Sequence, residues 1–307
     1  EAAAGARASS NLIADYLKLN IFNKPSTQLF DANGKMVSDA SILPGYADDL
    51  DWFIFERTGH RQDYNLNART ATEKSSLFFS TGYLNEKGYM KMSDYKRLTG
   101  RVNGDFTPRT WLKAGFNISG SHQKSNFLSA TAGSSTSFIN PYNFARNIAP
   151  IYPVHLHDLT TGEYILGADG QKIYDDGILS RNQYAGRHTI WENELDRNFD
   201  FRNTLNGQGY VDVKFLRDFT FTVKGDLNVR NNEEHVYDNA IIGDGAGVKG
   251  RAYRTLYRYK NYTLQQLLDW NKSFGNHNLD ILAGHESFYY NYNYINGGKN
   301  TETFAGK

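Results

Sequence analysis

Four groups of residues in this chain have the types and spacing that chemistry uses. His155, His157 and Asp158, in the run H-L-H-D, offer three metal-ligand side chains within four positions. Their alternating spacing in a polar stretch also describes solvated side chains. Gly245-x-Gly247-x-x-Gly250 matches the glycine spacing of a dinucleotide fingerprint. That fingerprint needs a parallel strand before it and a helix after it; that context is missing, so a flexible glycine loop is expected. Asp31-Ala32-Asn33-Gly34 and Asp169-Gly170-Gln171 open like calcium loops but lack the full ligand series and the closing Glu, and read as turns. Asp48, Asp49 and Asp51 would supply two carboxylates for glycoside hydrolysis, yet capping of a short helix accounts for them without catalysis. No catalytic residue, metal site or cofactor is expected. The absence of cysteine excludes disulfides and thiol chemistry, and a net charge of +1 gives no electrostatic ground for nucleic-acid binding.

Aromatic residues are the remaining candidates for ligand contact. The chain carries 21 Tyr and 19 Phe, far more than its polar loops need. Trp52, Tyr142, Tyr152 and Trp191 fall in loop-like segments, where flat rings suit sugar faces at low entropic cost. Ordinary loop packing is the competing reading for each. Tyr289, Tyr290, Tyr292 and Tyr294 either stack on a ligand or join an interfacial aromatic belt.

The elements that would position these residues are strands. From Arg61 to Ser121 four runs alternate apolar and polar residues, the period of a sheet with one greasy face. Leu66 in the first, Phe79 in the second, Val102 in the third and Phe116 in the fourth point to the apolar side. The alternation resumes after a long segment, about 122–196, with Phe221 and Val223 on the same side. A last pair, about 251–271 and 278–292, has an unclear phase, because Leu267 and Leu268 are adjacent and Gln266 falls among the apolar positions. Residues 1–60 differ: 1–20 reads as a helix with Ser9 or Ser10 as N-cap, 48–59 as a short helix stopped at Gly59, and LFDANGKMV as a turn at Asn33-Gly34. The segment 162–177 reads as a hairpin about Asp169-Gly170.

The fold class that follows is all-β and antiparallel. Connections alternate between short (about 71–75, 107–110, 217–218, 273–277) and long (about 85–94, 122–196, 232–250). Phe106, Phe215, Phe219 and Trp270 sit beside short turns on the apolar side. Short turns at one end, long loops at the other and an aromatic girdle describe a transmembrane β-barrel, whose strands need only about 9–11 residues to span. Lys96 breaks the apolar face only at the far end of its strand, where it can snorkel to headgroups. The alternative, a soluble β-sandwich acting as a carbohydrate-binding or adhesin module, also alternates. Strand length argues against it: 197–216 would reach roughly 65 Å, whereas sandwich strands run about 5–6 residues. The expected division is 1–60 as an extracellular segment with short helices and 61–307 as barrel strands with long extracellular loops. The start at Glu1 without Met suggests a piece of something longer.

The stretch from Trp52 to Ser121 resembles one family. D-W at 51–52, R-T-G at 57–59, R-Q-D-Y-N-L at 61–66, E-K-S-S-L-F-F-S-T-G-Y-L-N-E-K-G at 73–88, Tyr95 to Arg101 and W-L-K-A-G-F-N at 111–117 are similar to the barrel of the SusC/RagA-like, TonB-linked outer-membrane transporters. L-F-D-A-N-G-K-M-V before them and H-N-L-D-I-L-A-G-H-E at 277–286 look like further family pieces. The resemblance implies about eight strands of a larger plugged barrel, in the outer membrane of a Gram-negative, Bacteroidetes-like cell. It implies import of oligosaccharides or peptides, a SusD-like surface lipoprotein as partner, and TonB coupling through a portion this chain lacks.

Overall fold

A computed structural model describes residues 17–126 and 139–301. Eight strands follow one another as a meander: β1 (His60–Ala71), β2 (Ser75–Lys87), β3 (Asp94–Arg109), β4 (Leu112–Asn126), β5 (Arg197–Phe215), β6 (Phe219–Asp238), β7 (Arg251–Phe274) and β8 (His277–Asn300). Each pairs antiparallel with the next, and the spatial order equals the chain order. The sheet is open, with β1 and β8 as its edges. At 24 residues, β7 and β8 would each reach about 80 Å.

Local chemistry sets the short ends. Between β1 and β2 the Thr72 hydroxyl accepts from Ser75 N at 3.1 Å. Between β5 and β6, Leu216 and Arg217 both take positive φ (46° and 62°), the left-handed pair of a tight hairpin whose twist matches its strands. Gly275 (φ 58°) turns β7 into β8. The other connections, 88–93, 127–196 and 239–250, all leave from the opposite end. The short turns do not share one register row. Ala71 and Ser76 align through the pairings with Lys224, Leu112 with Phe221, and Phe274 lies four residues beyond Trp270, the partner of Phe219. This progressive stagger is the shear of a tilted sheet.

The pleat sorts the side chains. One register row runs Ala68, Phe79, Val102, Ile118, Gly207, Leu227, Tyr262, Tyr289. The adjacent row, on the other face, runs Asn67, Ser80, Arg101, Ser119, Asn206, Asn228, Asn261, Tyr290. Apolar members stay uncovered: Leu66 is 66% exposed, Ile118 47% and Phe79 45%. Among the described residues no second sheet packs on this face, so the sandwich arrangement is not the one adopted. Phe116, half-buried, lies on its cross-strand partner Gly104, where an added Cβ would stand 2.7 Å from Phe116 Cε1. On the other face Tyr210 covers Gly115 in the same way and donates to Asp105 Oδ1 at 2.8 Å.

The hydrophobic core lies outside the sheet. Leu19, Ile21, Tyr46, Trp52 and Phe55 pack with Phe144, Ile148, Tyr152, Val154 and Ile190. Residues on either side of four strands thus build one loop layer, and the boundary drawn near residue 60 separates segments that share a core. Three short helices belong to this layer: α1 (Pro44–Ala47), α2 (Pro141–Asn147) and α3 (Thr189–Leu195).

Two sequence expectations need correction or restriction. No helix forms over 48–59; the segment turns instead, with Asp51 Oδ1 accepting from Phe53 N at 2.8 Å and Glu56 N donating to Phe53 O. The helix expected for 1–20 falls, with its caps, almost wholly outside the described residues. The turns at Asn33-Gly34 and Asp169-Gly170 are present, each closed by an Asx contact from Asp31 or Asp169 and each with a glycine at positive φ.

Candidate functional site: the polar face and its loop layer

The polar face of the sheet and the polar clusters of the loop layer are the two hydrophilic parts of the chain. Along β5 and β6, Arg202 Nε donates to Asn232 Oδ1 (3.1 Å), Ser121 and Thr204 hydroxyls meet at 2.5 Å, and Thr222 donates to Asp212 at 2.9 Å. Alternation puts one such group on this face at every second residue, and cross-strand neighbours satisfy one another.

The last two strands add aromatic rings to that face. Tyr257 meets Tyr294 with ring centroids 5.2 Å apart, Tyr259 meets Tyr292 at 4.7 Å, and the Arg230 guanidinium lies 4.2 Å over Tyr259. The tyrosines of 289–294 therefore divide. Tyr290, Tyr292 and Tyr294 join the polar face, while Tyr289 stacks on Tyr262 at 4.8 Å on the apolar face. The unclear phase of this pair resolves too. Gln266 does occupy the apolar face, where its Oε1 lies 2.7 Å from His285 Nδ1, so each polar group satisfies the other.

The loop layer holds the polar cluster that the sequence signalled as H-L-H-D. Asp49, 5% exposed, receives His155 Nδ1 on Oδ1 (2.6 Å) and both His155 N (2.6 Å) and His157 Nε2 (3.0 Å) on Oδ2. His157 Nδ1 faces Gly162 O at 2.8 Å. Both ring nitrogens of His157 thus face oxygen atoms. Burial works to raise the Asp49 carboxyl, but the two imidazole bonds and the amide bond outweigh it and hold the group below its ordinary range. Asp158 is used separately, accepting from Thr160 N and Thr161 N of its own turn. Among the described residues no group of three or more His, Asp or Glu is arranged to hold a metal ion. The three carboxylates of 48–51 do not form a catalytic pair either: Asp49 is committed to the histidines and Asp51 to Phe53 N.

A second cluster ties the β4–β5 loop to the β6–β7 loop. Glu192, 1% exposed, accepts from His188 N (2.7 Å) and pairs with Arg187 (2.8 Å), which also reaches Asp244. Burial pushes the Glu192 carboxyl up to about 7 despite Arg187. Asp196 accepts from Asn239 N and Nδ2, both at 2.8 Å, and burial moves it up to about 6. The glycines of 245–250 serve this loop: a 3₁₀ turn spans Gly243–Val248, and a Cβ at Gly245 would stand 2.3 Å from Asn239 O. They bind no dinucleotide phosphate in this setting, since no strand–helix unit follows.

The aromatic ligand candidates separate by burial. Trp52 (3% exposed) and Tyr152 (fully buried) are core residues, joined by Trp52 Nε1–H donating to Tyr152 O at 2.9 Å. As core members they position the loop layer and offer no open ring face. Tyr142 and Trp191 are half-buried; Tyr142 donates to Glu56 at 2.7 Å beside exposed Phe53. The residues that sequence reasoning missed are Asp49 as a double histidine acceptor and Tyr257 and Tyr259 on the polar face. Strict register counting back from Arg251 would have placed the last two.

Comparison with known proteins gives the arrangement a context. No family model matches the chain. TonB-dependent receptor P39 of Formosa agariphila is 25% identical over 284 residues, covering 90% of this chain and 24% of that protein. TonB-dependent receptor P3 of the same organism is 26% identical over 260 residues, 81% of this chain and 23% of the relative. The chain spans about a quarter of the length of these curated relatives. Among solved structures, the RagAB peptide importer in its closed-closed state matches with a TM-score of 0.63 at 16% identity, over 96% of this chain and 30% of the other. The RagAB peptide transporter gives 0.60 at 15% identity, over 89% and 30%. These relatives are receptors and importers, not enzymes. In sequence this chain is similar to TonB-dependent receptors, and in fold it is similar to a segment of the RagAB importer.

Proposed function

We propose that the chain forms part of the wall and the long-loop end of an outer-membrane active transporter in a Bacteroidetes-like cell, importing oligosaccharides or peptides. The observation that carries this reading is the one-layer sheet with an uncovered apolar face and a hydrogen-bonded polar face. Such a sheet is stable when hydrocarbon meets one side and an aqueous or plugged lumen meets the other. Leu66, Phe79, Val102, Phe116, Phe221 and Val223 then face lipid. Phe106, Phe215, Phe219 and Trp270 form the girdle at the short-turn, periplasmic end; Phe215–Phe219 (5.5 Å) and Phe219–Trp270 (6.2 Å) stack side by side. The loop layer faces outside the cell, where a SusD-like surface lipoprotein would meet it. Tyr142 and Trp191, with the tyrosines of β7 and β8, are the rings with area left for a glycan or peptide. TonB coupling would act through parts of the transporter beyond this segment. In support, the RagAB importer pairs the same fold with peptide import, and the named relatives are TonB-dependent receptors.

Paired arginine substitutions test the two faces. In the complete protein, Phe116→Arg is expected to destabilise by about 2–4 kcal/mol if it lies near the bilayer midplane, whereas Asn117→Arg costs little. Equal costs in a folding titration would contradict the lipid face.

A further inference from the structure

The apolar face ends at a definite height. From the girdle row, Phe219, to Val229 is a run of ten residue steps along β6. At ~3.3 Å per residue and a tilt of about 40°, they span roughly 25 Å, the height of an outer-membrane apolar band. Immediately beyond, on the same face, the character changes. The next row reads Leu98, His122, Asn203, Asn231, Arg258, Asn293, and the following one Lys96, Lys124, Phe201, Glu233, Leu256, Ile295. Lys260 and Arg254 flank these rows on β7.

Cations therefore line the outward face from the Val229 row upward: Lys260, then Arg258, then Lys96 with Lys124, then Arg254. All five are exposed, and among the described residues none pairs with a carboxylate. The one acid in the two rows, Glu233, is engaged by His235 at 2.6 Å. Lys124 lies over the rings of Phe199 and Phe201, at 4.9 and 5.3 Å, which holds its stem against the wall. A cavity of about 460 Å³ opens here; Arg258 is the one cation in its lining, beside the His235-engaged Glu233, four amides (Asn203, Asn231, Asn232, Asn293) and the apolar side chains of Phe201 and Leu256.

We propose that this cavity and its cation rim bind the phosphorylated sugar headgroup of an outer-leaflet glycolipid. Guanidinium and ammonium groups neutralise phosphate. The amides donate to and accept from sugar hydroxyls, and the volume exceeds what a lone phosphate fills. The position, directly above the apolar band, places a headgroup at the cavity while its acyl chains run down the wall. The inference rests on the membrane reading above, because a soluble protein would present these rows to water.

The test uses the complete membrane protein, purified in detergent and stripped of lipid. Its binding is measured by native mass spectrometry to lipid A, to phosphatase-treated lipid A and to inorganic phosphate. Tight, phosphate-dependent binding of lipid A is expected. Arg258→Glu combined with Lys260→Glu should weaken it at least thirtyfold, since each basic side chain near a charged surface is worth about fivefold. Lys224→Glu, on the polar face, should leave it unchanged. Heat-modifiable migration on gels checks that each variant retains its barrel. Equal binding of the dephosphorylated lipid, or competition by inorganic phosphate as strong as by the lipid, would overturn the proposal. So would a double variant that binds like the parent. Recovery of the protein from the aqueous fraction without detergent would overturn the membrane reading as well; recovery in detergent with no phosphate preference overturns this inference alone.

Discussion

The wall and the loop layer solve opposite problems with one chain. In the wall, large apolar side chains point away from the protein: Leu66, Ile118 and Phe79 stay about half exposed or more. In the loop layer, Trp52, Phe144, Tyr152 and Val154 are buried, and charged groups are buried with them. A water-soluble protein would show only the second pattern. On the proposed membrane reading the contrast means that the two regions are built for different solvents: the wall takes its apolar partner from outside, and the loop layer makes its own.

The largest effect is expected in the loop layer. Asp49→Ala removes the carboxylate shared by His155 and His157 and leaves the buried His157 ring without that partner. Loss of one partner of a buried pair costs about 3–5 kcal/mol. The loss should appear as proteolytic opening of the 139–196 region, with the strands still protected. If the strands unfold together with the loops, the two regions are not separable in stability.

A smaller effect is expected in the wall. Gly104→Ala puts a Cβ into the Phe116 ring, 2.7 Å from Cε1, and overpacking of this kind costs about 1–3 kcal/mol. The loop layer should not register it. Protease-resistance profiles of the two variants, laid side by side, sharpen the division.

The smallest effect is a slope in pH. Burial holds Glu192 at about 7, against an ordinary 4.5. Between those values the folded loop retains a proton that the unfolded chain has released, so loop stability falls as pH rises through this window and levels off above it. Asp196, moved up to about 6, acts in the same direction over the lower part of the window. Asp49, held down, loses its contribution only as pH falls below its ordinary 3.8, outside the window. Glu192→Gln should flatten most of the slope between pH 5 and 7 in hydrogen exchange of the loop amides. An unchanged slope would assign it elsewhere.

The wall was more legible in the sequence than the loops. Alternation is a local signal, and it located six strands and their faces because Phe79, Val102 or Val223 needs only its two neighbours to be read. It blurred in β8, where Ile281 and Tyr289 lie on one face and Leu282, Phe288 and Tyr290 on the other, so no single phase stands out. The loop core was not legible, because its contacts bridge long separations. Trp52 meets Tyr152 across 100 positions and Asp49 meets His155 across 106. Lacking that partner, D-D-L-D before an apolar run reads as a helix cap. H-L-H-D marked a real cluster, but its third member is Asp49, not Asp158.

Solvent contact along β6 tests the two-solvent account most directly. The chain has no cysteine, so single replacements from Phe221→Cys to Val229→Cys give a clean background. In the complete protein in lipid bilayers, a spin label at each position reports collision with oxygen, enriched in hydrocarbon, and with a water-soluble nickel complex. Positions 221, 223, 227 and 229 are predicted to favour oxygen, and 222, 224, 226 and 228 the nickel complex or neither. A profile without this two-residue period, or nickel access at 221 and 223, would contradict it.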